Sequence, residues 1–473
     1  MRFPLLGKGV ALGAVALTLM AALAMVSDIV SERQGRLREA EQSVMDSLAT
    51  RQILVGPVLQ QHCQESWEEM RVTDNKSTNV PLQRQFDVTI TPVALSIKTS
   101  TQQVPRYRGI YKVNGYSAAS EITSEFSAPS TPKPTKINGS VRCDTASLWV
   151  AVSDARGLAK AEVEVNERPL SVSPGTTHPA HPRGFQAKLP DGWATSSATA
   201  PAAPLRVKVK LDLLGTTQIG FTPLAENNRV ALASDWPHPS FTGRALPNQR
   251  EISDSGFTAV WQISALATAA GQQTQAGGTA CELNGAHGFD TNNMAAREKA
   301  ASRPDCIETF GVSLIEPVNN FVLSDRATKY GLLFIALTFV GVVLIEVQRR
   351  LRVHPIQYLL VGAALVMFFL LLVSLSEHLS FSAAYAIAST ACTVLLALYG
   401  RFVLGGLRPG LVFGGAIAAL YGALYLLLQM EQSALVLGSI LLFAVLACVM
   451  MSTRHIDWYA FTANLRRDEQ GAK

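Results

Sequence analysis

The last third of the sequence, from Ala327 to Thr453, limits most strictly what this chain can fold into. It contains five apolar runs without Asp, Glu, Lys or Arg, separated by short charged segments: Tyr330–Ile345, Pro355–Ser376, Leu379–Gly400, Pro409–Met430 and Gln432–Thr453. A helix needs about 20 mostly apolar residues to cross the hydrocarbon core of a bilayer, and four runs reach that length. The first run is shorter, but Lys329 and Glu346 at its ends can extend their charged groups outward. The sequence therefore predicts a polytopic inner-membrane protein with a C-terminal bundle of five transmembrane helices.

The excess positive charge of the chain lies beside these apolar runs. The formal net charge is +5, but residues 31–326 carry nearly equal numbers of basic and acidic side chains. Basic residues mark the cytoplasmic ends of membrane helices, so their distribution indicates topology and gives no support to nucleic-acid binding. It predicts a cytoplasmic N-terminus (1–8), a transmembrane helix (9–30), a periplasmic domain (31–326), the five-helix bundle (327–453) and a cytoplasmic tail (454–473).

The apolar run near the N-terminus, Gly9–Val30, has two interpretations. Lys8 precedes it and Ala22-Leu23-Ala24 resembles a cleavage site, as in a signal peptide. The run is also long enough to be a retained anchor. The following segment, Ser31–Gln52, contains no Pro and only one Gly, and its apolar residues have helical spacing. A helix that continues outward favours the retained anchor, and both interpretations place the next segment outside.

The segment from about Ile53 to Ile263 has the pattern of a β-rich domain. The clearest strand is Leu205–Leu213, where Leu and Val alternate with charged residues, as in a half-buried antiparallel strand. Turn dipeptides such as Asn138-Gly139 punctuate the region and are typical of a sandwich. The predicted fold class is an α+β membrane protein with a large sandwich-like outer domain. Its other strand candidates are Ile53–Leu59, Phe86–Ile97, Tyr107–Val113 and Leu148–Val152.

The outer segment also contains a stretch without periodicity and four cysteines. Residues Ala267–Pro304 are rich in Gly, Gln, Asn and Ala, which predicts a flexible insert. Cys63, Cys143, Cys281 and Cys306 lie where an oxidising compartment permits disulfides, and three pairings are open. We favour a bond between Cys281 and Cys306, because it would close off the insert. Two further cysteines are expected to be small apolar core residues of membrane helices: Cys392 and Cys448.

The densest polar and aromatic cluster is the loop Ser234–Gly243. Two prolines fix an extended loop around a histidine, and such a loop can present Trp236, His238 and Phe241 to a ligand or partner. The alternative is that both aromatic residues pin the loop to the sandwich while His238 bonds a backbone carbonyl. A nucleophilic role for Ser240 lacks the surrounding elbow pattern, so no catalytic residue is predicted.

Other chemistry-bearing patterns in the sequence are weak. His178 and His181 have loose metal-ligand spacing, but no cluster of Cys, Asp or Glu supports them, and a solvated proline-rich loop is the simpler interpretation. The sequence shows no phosphate-binding glycine loop and no zinc ligand set, so neither a metal nor a cofactor is expected. Glu346 lies at the inner end of its helix beside Arg349 and Arg350. The buried mid-membrane charge that marks an ion pathway is missing.

Particular strings of the sequence resemble the CreD family of inner-membrane proteins. They run in order from the outer domain to the C-terminus and together cover most of the chain: Val152-Ser153-Asp154-Ala155-Arg156-Gly157, Trp236-Pro237-His238-Pro239-Ser240-Phe241, Arg250-Glu251-Ile252-Ser253 with Gly256-Phe257, Asp325-Arg326-Ala327-Thr328-Lys329-Tyr330, His354-Pro355-Ile356-Gln357-Tyr358-Leu359-Leu360-Val361-Gly362, Ser374-Leu375-Ser376-Glu377-His378 and Ile456-Asp457-Trp458-Tyr459.

The resemblance implies an N-terminal span, a large periplasmic domain and a C-terminal helical bundle. It also implies a role in envelope integrity, regulation by a two-component system that responds to cell-wall stress, and β-lactam and colicin tolerance. It supplies no catalytic residue and no ligand.

The leading hypothesis is a non-enzymatic envelope protein whose outer domain binds a partner, either an envelope protein or a lipid. Asp325–Tyr330 joins this domain to the second membrane helix without a flexible linker, so domain and bundle are expected to move as a unit. The competing hypothesis is a transporter or permease component for a lipid or envelope precursor. An envelope hydrolase that uses the Trp236–Phe241 loop is a third.

Overall fold

The computed structural model describes residues 5–73, 76–109, 111–127, 132–190, 204–283, 306–314, 320–349, 353–430 and 434–454. The chain divides into two compact units. One consists of Met1–Arg38 with Val318–Lys473, and the other is Glu39–Pro317. We describe each by itself, and refer to them as the helical unit and the β unit.

The first element is a single uninterrupted helix, α1 (Leu5–Ser47). Its apolar first half belongs to the helical unit and its charged end to the β unit. The expected helix over Ser31–Gln52 is confirmed except for its last residues. It ends early because Gln52 begins the first strand, where its side chain is fully buried.

The helical unit contains seven helices in its described residues, if the first half of α1 is counted. They are α3 (Asn320–Lys329), α4 (Gly331–Arg349), α5 (Pro355–Ser376), α6 (Phe381–Val403), α7 (Leu407–Gln429) and α8 (Ala434–Thr453), together with the first half of α1; α2 (Ala270–Gln275) lies in the β unit. Among the described residues, five helices are long and apolar enough to span a membrane, namely α1, α4, α5, α6 and α7, and the apolar part of α8 is shorter. The predicted order of apolar helices is therefore confirmed.

Small residues let the helices of this unit approach closely. A Cβ on Gly362 of α5 would overlap the side chain of Leu19, and one on Gly331 would lie 2.8 Å from Leu23. The N-terminal helix therefore packs into the same core as the C-terminal helices, which small residues permit in membranes. Glu346 of α4 accepts hydrogen bonds from the Tyr358 hydroxyl (2.7 Å) and from a backbone N–H of the following loop (3.2 Å).

The β unit contains nineteen strands in its described part. They are β1 (Gln52–Thr73), β2 (Lys76–Ile90), β3 (Ala94–Gln103), β4 (Arg106–Arg108), β5 (Tyr111–Val113), β6 (Gly115–Phe126), β7 (Ser140–Cys143), β8 (Ser147–Val152), β9 (Leu158–Val165), β10 (Arg168–Leu170), β11 (Ser173–Pro174), β12 (Gly184–Lys188), β13 (Leu205–Thr216), β14 (Gln218–Phe221), β15 (Asn227–Ser234), β16 (Pro239–Gly243), β17 (Gln249–Ser253), β18 (Gly256–Ser264) and β19 (Phe310–Leu314).

These strands form two large sheets and a small hairpin. One sheet has the order β11-β12-β8-β1-β14-β19-β16, with β2 and β7 also paired to β1. The other has the order β10-β9-β13-β6-β3-β15-β18-β17. Apolar side chains from both sheets share one core, including Leu59 and Val150 from the first and Ile122 and Val209 from the second. The unit is thus a sandwich, as predicted.

Individual strands match the sequence expectation to different degrees. Leu205–Leu213 lies in β13, which pairs antiparallel with β6 and β9 and alternates buried with less buried residues, so that prediction is confirmed. The expected strand Phe86–Ile97 is wrong as one element, because residues 91–93 separate β2 from β3 in different sheets. The expected strand Tyr107–Val113 is the hairpin β4–β5.

The cysteines of the β unit form two disulfides, Cys63–Cys143 and Cys281–Cys306. The expected flexible insert is wrong at its beginning, where α2 buries Ala270 and Thr274 against the sandwich. Residues 284–304 of that insert lie outside the described residues. In the helical unit Cys392 is buried as expected, whereas Cys448 is exposed.

Candidate functional site

The loop that the sequence singles out connects β15 to β16 at one corner of the sandwich. Trp236 is almost fully buried, and its indole N–H donates to the backbone carbonyl of His238 (2.8 Å). Its backbone N–H donates to the Ser234 hydroxyl (3.1 Å). This bonding within the loop orients the indole inward, so Trp236 belongs to the core of the sandwich and holds the loop in place.

Phe241 lies on β16 and closes the space between the two sheets. Its ring meets Phe257 and Trp261 of β18 edge-on, with centroids 5.8 Å away in both cases. Trp261 in turn lies 5.5 Å from Phe310 on β19. Edge-to-face aromatic pairs add stability beyond the area they bury. Phe241 of the sequence-predicted cluster is thus packed against β18, which belongs to the opposite sheet.

The outer surface of this corner differs from its interior. The aromatic side chains face inward, with Trp236 buried and Phe241 half-buried, and His238 is the exposed member of the predicted trio. The Arg250 guanidinium lies over the Phe241 ring at 6.0 Å, close enough for a cation–π contact. β16 and β17 are the outermost strands of their sheets, and every residue of β17 is exposed. We name this surface, formed by His238, Arg250 and Ile252, the corner surface.

A second polar cluster lies where α1 enters the sandwich. Arg156 donates from its guanidinium to the backbone carbonyls of Asp46 and Met45, which are among the last of the helix. The same guanidinium pairs with Asp154 (2.6 Å), and Asp154 also accepts from the backbone N–H of Thr50 (3.0 Å). A cation at a helix C-terminus satisfies carbonyls that lack partners and complements the helix dipole. We name Asp154 and Arg156 the helix clamp.

Buried hydrogen bonds of the Gln52 side chain support the helix clamp from below. The Gln52 amide donates to the carbonyls of Asp154 (2.9 Å) and Leu214 (3.0 Å) and accepts from the Asp154 backbone N–H (3.2 Å). Hydrogen bonds from Arg156 hold the pKa of the Asp154 carboxyl below its ordinary value, against burial, which raises it. Gly157 follows directly, and a Cβ there would overlap Leu214 and Gln52. Asp154 therefore stays ionised, and the clamp stays closed, across the neutral range.

The helical unit holds the same helix by a separate contact. Arg33 of α1 pairs with Glu377 (3.0 Å), which lies in the turn between α5 and α6. The Glu377 side chain is mostly buried, so this pair is less screened than a surface pair. One helix is thus bonded through Arg33 inside one unit and through its last carbonyls inside the other.

The two histidines with loose metal-ligand spacing are buried against Trp149. Their ring centroids lie 5.1 Å (His178) and 5.8 Å (His181) from the indole and 5.2 Å from each other. Nε2 of His181 bonds the carbonyl of Gly278 (2.8 Å). The expectation of solvated histidines is therefore wrong, because the loop folds back onto β8. No group of three His, Cys, Asp or Glu residues among the described ones has the geometry of a metal site.

A buried carboxylate fixes the Pro/Thr-rich loop that follows β6. Glu65 of β1 accepts hydrogen bonds from the Thr135 hydroxyl and from the backbone N–H groups of Thr135 and Lys136, and it pairs with Arg84 (3.0 Å). Burial raises the pKa of Glu65, but these hydrogen bonds and the Arg84 charge outweigh it, so the pKa lies below its ordinary value. Sequence reasoning missed this site, because Glu65 sits in a run of polar residues without a distinctive pattern.

The residues that bond α1 lie in sequence strings that were recognised, but the sequence did not show that these strings contact the helix. Asp154 and Arg156 lie in one of the strings that resemble a known family, and Glu377 lies in another. Sequence spacing cannot reveal that both strings bond the same helix, because the partners are separated by 110 residues for Arg156 and Asp46.

Comparison with known proteins gives a consistent result over nearly the whole chain. The family described as "Inner membrane protein CreD" matches residues 4–459. The protein named "Inner membrane protein CreD" from Escherichia coli (strain K12) is 32% identical over 464 residues. That alignment covers 98% of this chain and 95% of the relative.

Proposed function

The chain belongs to the CreD family of inner membrane proteins, and from that premise we propose that it contributes to cell-envelope integrity under stress as a non-enzymatic binding protein. The β unit is its outer, periplasmic domain, and both termini are cytoplasmic. The domain binds an envelope component, and the helical unit anchors it and responds to its state. Cell-wall stress, with β-lactam or colicin tolerance as the readout, is the setting in which this role operates.

One observation carries the proposal: α1 is a continuous helix bonded into both units. The Arg33–Glu377 pair fixes it within the helical unit, and the helix clamp fixes its last turn within the β unit. A tether without signalling needs neither contact, since a flexible linker would hold the domain equally well. A helix fixed at both places transmits a displacement instead of absorbing it.

The corner surface is the proposed binding face. It offers exposed His238 and Arg250, unpaired backbone edges on β16 and β17, and the apolar side chain of Ile252, which is 52% exposed. The buried ring of Trp236 and the half-buried ring of Phe241 make this face rigid, so binding costs little ordering entropy. Polar and apolar groups beside the outermost strands of both sheets suit an extended envelope partner.

Photo-crosslinking in intact cells tests the binding face. We would place a photoreactive phenylalanine at Ile252 and, as a matched control, at Ile137, an exposed isoleucine elsewhere on the same unit. A discrete adduct at residue 252 that is absent at residue 137 is expected, and its mass identifies the partner. Adducts at neither position in the folded protein would contradict the proposal for this face.

The Arg156→Ala variant tests the coupling. It removes the guanidinium from the last carbonyls of α1, and stress tolerance is expected to fall although the sandwich still folds. Arg168→Ala is the matched control, because Arg168 is exposed on the edge strand β10. Full tolerance in the Arg156→Ala cells, at normal protein level, would contradict the proposal that α1 transmits a displacement between the two units.

The alternative function is a transporter or permease component for a lipid or envelope precursor. In the described part of the helical unit, a cavity of about 20 Å³, room for roughly one water, lies among Val342, Val361, Tyr399 and Phe413. The rings of Phe368, Tyr385 and Tyr421 fill the core nearby, so no observation favours this alternative. Substrate-dependent flux in proteoliposomes would reverse that preference.

A further inference from the structure

A loop of the β unit, residues 175–183, is closed over Trp149 by two buried histidines. His178 and His181 are each more than nine-tenths buried, and their rings lie against the indole and against each other. Nδ1 of His178 and Nε1 of Trp149 have no hydrogen-bond partner among the described residues. A buried polar atom without a partner is costly, and a buried charge without one is costlier. Burial in this cluster therefore favours the neutral form of both imidazoles.

This cluster also holds a neighbouring segment of the chain. Nε2 of His181 bonds the carbonyl of Gly278, between α2 and the cysteine at position 281. Trp149 shares a small separate core with Ala270 of α2 and with Ile307, which follows the second cysteine of that disulfide. The two histidines therefore form the polar edge of the contact between the α2 segment, residues 268–283, and the sandwich.

We propose that His178 and His181 form an acid-operated latch, which keeps the α2 segment on the sandwich while both imidazoles are neutral and releases it when they take up protons. Two imidazolium rings with centroids 5.2 Å apart repel each other, and neither forms an ion pair with a carboxylate among the described residues. Protonation is accommodated only if the loop and the α2 segment move out to water. The device changes which surface the β unit presents, without any change in covalent structure.

The charged surroundings of the latch support the direction of this response. Burial lowers the pKa of His178, while the Asp87 charge on β2 opposes it; Asp87 is itself bonded to His62 and to the Gln60 amide. Burial also lowers the pKa of His181, and His178 lowers it further, against the hydrogen bond to Gly278.

A histidine whose pKa is depressed in the closed state favours closure above its ordinary pKa of about 6.5. This contribution to stability is lost as pH falls below that value. It is lost before the carboxylates of the unit, with ordinary values near 4, titrate. The latch therefore begins to open as pH falls below about 6.5, before these carboxylates titrate.

Hydrogen–deuterium exchange of the purified full-length protein in detergent tests the latch. Labelling times are scaled for the intrinsic pH dependence of exchange, and residues 268–283 are compared with β6 as an internal reference. From pH 7.5 to 5.5 the opening constant of the segment is expected to rise by up to about tenfold for each histidine. β6 is expected to stay protected.

Three variants decide the assignment. His178→Gln and His181→Gln each remove one titrating group, so each should reduce the pH response of residues 268–283. His238→Gln, at an exposed site, is the matched control and should leave it unchanged. An equal response in the wild type and in both latch variants would overturn the proposal, as would a wild type with no response above pH 5. The wild-type titration decides the matter even if a glutamine variant fails to fold.

Discussion

The sandwich and the helical bundle of this chain both have cores rich in aromatic rings, but their outer surfaces are opposite. In the sandwich, Trp261 and Phe310 are buried, and the outer face of β13 carries ion pairs such as Lys208–Glu121 (2.8 Å). In the bundle, Phe368 and Tyr421 are buried (centroids 4.4 Å apart), while large apolar side chains such as Phe443 are exposed. Water surrounds the first surface, and lipid is the natural surrounding of the second.

The difference teaches which force holds each core together. Exclusion of water drives the sandwich core, because its apolar residues have water as the alternative. Lipid is as apolar as leucine, so the bundle depends on close packing and on hydrogen bonds such as that from Tyr385 to the Tyr421 carbonyl (2.6 Å). The same truncation should therefore have different effects in the two cores.

The largest expected effect is a paired truncation. Trp261→Ala should destabilise the sandwich by about 3–5 kcal/mol, since it removes a fully buried ring and leaves a cavity. Phe368→Ala should cost the bundle clearly less, because its ring has lipid as an alternative. Urea unfolding followed by the fluorescence of Trp149 and Trp236 measures the first, and circular dichroism at 222 nm during detergent denaturation measures the second. An equal or larger loss in the bundle would break the comparison.

The next effect concerns the disulfide that joins β1 to β7. Replacing both Cys63 and Cys143 with Ser should destabilise the β unit by about 2–4 kcal/mol, because the disulfide constrains the unfolded chain over 80 residues. Cys448→Ser is the control, since that thiol is free and exposed. The urea midpoint under oxidising conditions is the measurement, and coincident midpoints for the double variant and the wild type would be the contrary result.

A smaller effect contrasts two glycines. Gly157→Ala should cost about 1–3 kcal/mol, because the new methyl group overlaps Leu214 and Gln52 beneath the helix clamp. Gly13→Ala, on the apolar half of α1, meets nothing within 4 Å and should be neutral or slightly stabilising. Parallel urea titrations of both variants decide this, and a neutral Gly157→Ala would show that the junction tolerates rearrangement.

Sequence predicted the two units for different reasons. The membrane helices are readable because length and the absence of charge suffice to locate them. Their packing is not, since α5 and α8 are apolar all round and no face stands out. In the sandwich the alternation of Leu205–Leu213 identified a strand and its buried face. The break at residues 91–93 carried a weaker signal. Pro92 interrupts the run, and the apolar residues change from even-numbered positions before it to odd-numbered positions after it.

The candidate site was predictable in composition but only partly in geometry. The clustering of Trp236 and Phe241 within the 234–243 stretch followed from the sequence. Their inward orientation was one of two alternatives that the sequence left open, and only the position of the opposite sheet decides between them. The helix clamp and the Glu65 site depend on partners far away in the sequence, and local patterns carry no information about such pairs.

The smallest expected effect is a local one at Glu65, in the polar part of the β unit that has no counterpart in the bundle. Since the folded-state pKa lies below the ordinary value near 4.5, the carboxylate stabilises the Thr135 loop above that value. This contribution is lost as pH falls through the folded-state pKa. Glu65→Gln should therefore increase exchange of residues 132–139 at pH 7, and the difference from wild type should vanish in acid.

Hydrogen–deuterium exchange from pH 7 to pH 3 measures this effect, with Glu251→Gln as the control, because that carboxylate is exposed on β17. The latch begins to open above pH 5, before Glu65 titrates, so the two devices can be distinguished in one titration. A constant difference between Glu65→Gln and wild type across this range would show that the side chain acts through its shape, because a charge effect must disappear when the wild-type carboxylate takes up its proton.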